Sequence, residues 1–71
     1  MNLTRTTPAE YGPAVKLIRK GARVRQRDVA TLAGISPSTL SRFEQGKSGV
    51  TEPTYFAIQR AIIAATEKRA E

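Results

Sequence analysis

The strongest constraint on how this chain folds lies in four residues, Gly34-Ile35-Ser36-Pro37. Glycine takes a left-handed backbone without steric cost and commonly ends a helix. Serine followed by proline opens one, because the hydroxyl caps a free amide and the ring sits where its missing N–H costs nothing. One helix therefore stops and another starts around a tight turn, within the stretch QRDVATLAGISPSTLSRFEQGK that runs from Gln26 to Lys47. Val29, Ala30 and Ala33 are expected to point inward from the first of these helices. Ile35 before the cap and Leu40 after it form a hydrophobic staple on the second. Gly46 closes that second helix as Gly34 closes the first.

The two faces of the second helix differ in chemistry. With successive residues ~100° apart, Leu40, Phe43 and Thr39 share one side, with Glu44 at its edge. Pro37, Ser38, Ser41, Arg42 and Gln45 occupy the other. That outer face has no large apolar residue, no carboxylate and one arginine. It is small, polar and rich in donors, which suits the edges of base pairs in a major groove. An ordinary solvated helix face more often mixes glutamate with lysine.

The pattern is a glutamine opening the first helix, V-A-x-x-A-G-I-S across the turn and S-T-L-S-R-F-E-x-G-K after it. It resembles the helix-turn-helix of the phage-repressor (Cro-like, XRE) family over roughly residues 11–62. The resemblance implies an all-α, lambda-repressor-like DNA-binding domain of four helices, or five if an N-terminal turn is counted. Its helix-turn-helix would span residues 26–46. It also implies that Pro37, Ser38, Ser41 and Arg42 face bases, and that Gln26, Ser36, Lys47 and nearby backbone amides hold phosphates. Arg19 and Glu44 fall where the family pairs an arginine of its first helix with a glutamate near the end of the recognition helix, a structural ion pair.

Charge agrees with a polyanion partner. The net charge is +6, and its location matters more than its size. Between Lys16 and Lys47 eight basic residues face only Asp28 and Glu44, while the acidic and basic residues elsewhere cancel. The whole excess thus lies on the segment that carries the proposed reading helix, the electrostatic footprint of a nucleic-acid binder. Arg25 and Arg27, beside Gln26 and with Arg23 nearby, are expected to clamp the phosphate backbone. The Lys47-Ser48-Gly49 loop is expected to add Ser48 and its backbone amides. Arg25 stands where the family favours a small N-cap, so the helix beginning at Gln26 is weakly capped.

Other classes find little support in the residue set. There is no cysteine and no histidine, so disulfides, thiolate metal sites and the commonest proton shuttle are excluded. No nucleophile–base pair, carboxylate pair or phosphate loop can be assembled, so neither catalysis nor a metal or cofactor is expected. No apolar run approaches the ~20 residues needed to span a bilayer, and no signal-peptide core follows Met1, so a cytoplasmic, DNA-associated location is expected.

The remaining residues read as follows. Residues 1–6 lack periodicity and are expected to form a flexible arm, in which Arg5 tracks a groove or Leu3 adds to a subunit contact; the domain proper is residues 7–69. Thr7-Pro8-Ala9-Glu10 has the form of a capping box. Gly12-Pro13 conflicts with an uninterrupted helix, so one turn, then a distortion or restart, then helix to about Lys20 is expected. Tyr11, Val15 and Ile18, with Ala14 beside them, would face the core. Gly21 would end this helix, although the family more often places its glycine two positions later, at Arg23. A last helix is expected from an N-cap at Thr51, stapled by Val50 and Tyr55, with Tyr55, Ile58, Ala61, Ile62 and Ala65 inward and Lys68 and Arg69 suiting its C-terminal end. Phe56 and Ile63 do not fit that stripe. With Gln59 and Arg60 they form a second patch, the expected homodimer interface in a chain that stops short of the fifth helix many relatives use.

The expected function is that of a transcriptional regulator, a dimeric repressor of phage or plasmid type that binds a palindromic operator through the helix at residues 36–45. The rival is a protein-interaction module, an antitoxin or adaptor, whose last helix holds a partner protein and whose DNA binding serves autoregulation.

Overall fold

The computed structural model describes residues 5–70, with side chains through Glu67. In chain order the elements are β1 (Thr6–Thr7), a 3-10 turn (Ala9–Tyr11), α1 (Gly12–Gly21), α2 (Gln26–Ala33), α3 (Pro37–Glu44), β2 (Val50–Thr51) and α4 (Glu52–Ala70). The architecture is all-α, four helices around one core, as the sequence predicts. The two short strands add one antiparallel contact, Thr6 opposite Thr51 and Thr7 opposite Val50.

Three helices end in the same backbone motif. At α2 the Ile35 N–H donates to the Ala30 carbonyl and Gly34 N–H to Thr31; at α3 Lys47 N–H donates to Arg42 and Gly46 N–H to Phe43. Gly34 and Gly46 have φ of 74° and 76°, the left-handed conformation this termination requires. At α1 the equivalent bonds run from Val24 to Arg19 and from Arg23 to Lys20. Arg23 takes the left-handed position with φ 60°. Helix α1 therefore ends at Gly21 as expected, yet the turn beyond it keeps the left-handed geometry that usually calls for glycine, here with an arginine in place. That geometry delivers Val24 into the core, a position the sequence analysis did not single out.

The core is built from Val15, Val24, Val29, Ala30, Leu40, Phe43, Val50, Ile58, Ala61, Ile62 and Ala65, with Ala33, Ile35 and Tyr55 packed against it. Leu40, Phe43, Val29 and Ile58 are fully enclosed. The inward residues of α2, α3 and α4 are those expected from periodicity. The Thr51 cap also forms, its hydroxyl accepting from Thr54 N–H at 3.3 Å. Lys68 and Arg69 lie outside the residues whose side chains are described. Among the described residues, no helix is long and apolar enough to cross a membrane.

Helix α1 departs from expectation. Its buried face is Gly12, Val15 and Arg19, so Tyr11 and Ile18, expected inward, are 49% and 59% exposed, and Ala14 is exposed too. The reason is electrostatic and steric together. Arg19 must turn inward to meet buried Glu44, and Gly12 must face α3 because nothing larger fits there. A Cβ on Gly12 would lie 1.6 Å from the Phe43 carbonyl oxygen. The Gly12-Pro13 pair that looked like a defect is thus the point of closest approach between α1 and α3, and α1 restarts there after the 3-10 turn.

The N-terminal capping box does not form. Pro8, not Thr7, precedes the turn, without a side-chain cap; Thr7 is instead buried in the strand pair. Residues 1–4 of the expected arm, Leu3 included, lie outside the described residues. Arg5 and Thr6 are held: the Arg5 carbonyl accepts from Glu52 N–H at 2.6 Å, and Thr6 pairs with Thr51.

Candidate nucleic-acid interface

Helix α3 is capped as its sequence dictates. Ser36 Oγ accepts from Thr39 N–H at 3.1 Å and shares a second hydrogen bond with the Thr39 hydroxyl at 2.9 Å, so the Ser36 side chain is committed to the helix end. Leu40 and Phe43 anchor the inner side of α3. Pro37, Ser38, Arg42 and Gln45 are exposed, and Ser41 is half-buried. Gln45 Nε2 donates to Ser41 Oγ at 2.8 Å, a constraint on the outer face that the sequence analysis missed, although the (i, i+4) spacing is its signal.

The predicted base-facing residues come together. Pro37, Ser38, Ser41 and Arg42 line one open concavity, and Gln26, at the first position of α2, forms its other wall. Arg25 and Arg27 flank Gln26 in sequence but line a different groove, between α2 and α4, with Asp28, Leu32 and Ala64. Arg25 provides no side-chain cap to α2, as expected. Lys47 is exposed and Ser48 half-buried in the loop after α3.

Beneath this surface sits the Arg19–Glu44 ion pair. Arg19 Nε donates to Glu44 Oε2 at 2.8 Å and Nη2 to Oε1 at 3.0 Å, with the two residues 8% and 2% exposed. Arg19 Nη1 donates to the Val24 carbonyl at 2.8 Å, and Gln26 Nε2 donates to Glu44 Oε1 at 3.0 Å. Among the described residues no buried side-chain nitrogen or oxygen lacks a hydrogen-bond partner. A buried pair of this kind adds little net stability over apolar replacements, but removing one partner typically costs about 3–5 kcal/mol. The link from Gln26 to Glu44 spans 18 residues, and no local sequence signal announces it.

On α4, Phe56 and Ile63 are 46% and 58% exposed, with Arg60 exposed and Gln59 half-buried between them. Phe56 continues an aromatic series, its ring 5.8 Å from Tyr55, which lies edge-on to Tyr11 at 6.1 Å.

Comparison with known proteins agrees with this geometry. No curated protein and no solved structure matches the chain. A family model described as a helix-turn-helix domain matches residues 10–71. Spanning α1 to α4, and with them the capped turn and the polar outer face of α3, that match assigns the chain to the helix-turn-helix domain family of DNA-binding proteins.

Proposed function

We propose that the protein is a sequence-specific transcriptional regulator, a dimeric repressor of the Cro-like phage or plasmid type. It lays α3 in the major groove of a palindromic operator. Pro37, Ser38, Ser41 and Arg42 meet base edges. Gln26, Ser36, Lys47 and Ser48 hold phosphates close by, with Ser36 doing so through its backbone because its hydroxyl caps the helix, and Arg25 and Arg27 flank them. The observation that carries the reading is the single concavity formed by Gln26 and the polar face of α3, on the segment that holds all of the chain's excess positive charge. A single module makes few base contacts, each worth about 1–3 kcal/mol. Doubling them through a two-fold interface at Phe56, Gln59, Arg60 and Ile63 supplies the affinity and selects paired half-sites about one helical turn apart.

Selection of bound duplexes from a random pool tests this directly. Enriched inverted repeats with fixed spacing are expected; a pool that stays unenriched at moderate salt refutes sequence-specific binding. Within an enriched site, Arg42→Ala lowers affinity by about 1–3 kcal/mol and relaxes preference at one base pair. Equal loss on every duplex would reduce Arg42 to a phosphate contact.

A further inference from the structure

We infer that Glu44 is a positioning residue for DNA binding: it fixes the Gln26 amide so that one face of that amide is already set for the nucleic-acid backbone. This role presupposes the DNA face proposed above and names what orients one of its contacts.

A carboxylate only accepts hydrogen bonds, so the amide nitrogen of Gln26, and not its oxygen, must face Glu44. Rotating the amide by half a turn would set Oε1 against Glu44 Oε1, two acceptors about 3 Å apart, one of them on a buried carboxylate that water cannot relieve. The Nε2–Oε1 bond of 3.0 Å therefore holds one orientation. An amide nitrogen carries two hydrogens, and Glu44 takes one. The second hydrogen and Gln26 Oε1 have no protein partner among the described residues. They belong to a residue that lines the concavity with Pro37, Ser38, Ser41 and Arg42. The spare N–H is the donor a phosphate oxygen requires.

Arg19 makes this arrangement compatible with a polyanion. An unpaired carboxylate one residue beneath the surface would repel the backbone that Gln26 is meant to bind. The Arg19 guanidinium occupies both carboxylate oxygens and leaves the group locally neutral, yet still able to accept from Gln26. The buried pair then has two tasks, joining α1 to α3 and orienting a side chain at the start of α2.

The test is a binding cycle on the duplex enriched by the parent protein. Arg19→Met with Glu44→Leu removes the pair without leaving a lone buried charge, a replacement that generally preserves folding. Gln26→Ala is made in the parent and in this background, with circular dichroism and melting checked for each. In the parent, Gln26→Ala is expected to weaken binding roughly tenfold, the order of one lost hydrogen bond to a charged phosphate oxygen. In the background, binding is already weaker by a similar factor, and Gln26→Ala has little further effect. A background that binds like the parent, or two effects that simply multiply, overturns the positioning role. Should the background not fold, the parent alone decides: the Gln26 side-chain NH2 resonances must show one hydrogen protected from solvent exchange in the free protein. Exchange of both at the rate of an exposed glutamine refutes the orientation. A parent that enriches no duplex refutes the DNA reading itself, a separate result.

Discussion

Replacing Gly12 by alanine sets two physical effects against each other. Gly12 opens α1 with φ −61° and ψ −47°, a backbone that alanine adopts readily. Helix propensity alone therefore predicts stabilisation by up to about 1 kcal/mol. Packing predicts the opposite. The added carbon would lie 1.6 Å from Phe43 O and 2.4 Å from Phe43 C, where non-bonded atoms need roughly 3.5 Å. Both obstacles are backbone, and the struck carbonyl is the one that accepts Gly46 N–H to end α3. Helix α1 must then retreat from α3 by about 1.5–2 Å. A retreat of that size stretches the 2.8 Å Arg19–Glu44 contact beyond pairing distance. Overpacking costs about 1–3 kcal/mol, and opening the buried pair raises that toward about 3–5 kcal/mol. A domain of this length has only about 4–11 kcal/mol of stability in total.

Gly21→Ala is the control. It lies at the other end of the same helix, and a Cβ there meets nothing within 4 Å. Alanine at that position is expected to stabilise by about 0.5–1 kcal/mol, a rise of a few degrees in melting temperature. Gly12→Ala is expected to lower the melting temperature by more than about 12 °C, followed by far-ultraviolet circular dichroism during heating and urea titration. If Gly12→Ala melts at or above the parent temperature, the close contact between α1 and α3 is wrong, and with it the explanation for the outward rotation of Tyr11 and Ile18.

The other predictions concern the loop, the surface and the assembly. Arg23→Gly relieves a left-handed arginine, worth about 1–2 kcal/mol, but adds about 0.5–1 kcal/mol of chain freedom in the unfolded state and gives up the arginine side chain's own interaction. These terms oppose one another, so the melting temperature is expected to move by less than about 8 °C, and a larger shift in either direction would contradict that balance. Lys47→Ala should weaken binding to all duplexes alike and reduce the slope of log affinity against log salt by about one; a loss confined to one base position would contradict a phosphate contact. Phe56→Glu combined with Ile63→Glu should give a folded monomer with poor operator binding, and a sedimentation profile identical to the parent's would remove α4 as the interface.

Legibility in the sequence followed the range of the interactions. The α2–turn–α3 unit was readable because its signals are local: Gly34 in the left-handed turn, Ser36 capping Thr39, Leu40 inward four residues beyond the cap. The cap at Thr51 was readable for the same reason. The face of α1 was not. Periodicity favours Tyr11, Val15 and Ile18 because they are apolar, whereas the helix is turned by a charge that finds its partner 25 residues away and by a glycine whose neighbour is the backbone of another helix. Family resemblance identified Arg19 and Glu44 as partners, yet apolar spacing put Ile18 inward, and one helix face cannot be centred on both. Thr7 failed as a cap because a pairing with Val50, far along the chain, claimed it first. Of the candidate interface, residue type and spacing made the polar face of α3 legible; the attachment of Gln26 to Glu44, and the separate groove beside Arg25 and Arg27, depend on how the helices assemble.

Two helices, α1 and α2, send hydrogen-bond donors to one carboxylate on a third, α3, and this limits how far α3 can be moved. A peptide of residues 26–46 grafted onto a foreign scaffold would take Glu44 along and leave behind the guanidinium that neutralises it. The transplanted helix would then turn that group toward water and twist its outward residues off register. Donor specificity in such a chimera is therefore expected to travel only with α1 attached, so the smallest portable unit is the three-helix segment from Gly12 onward.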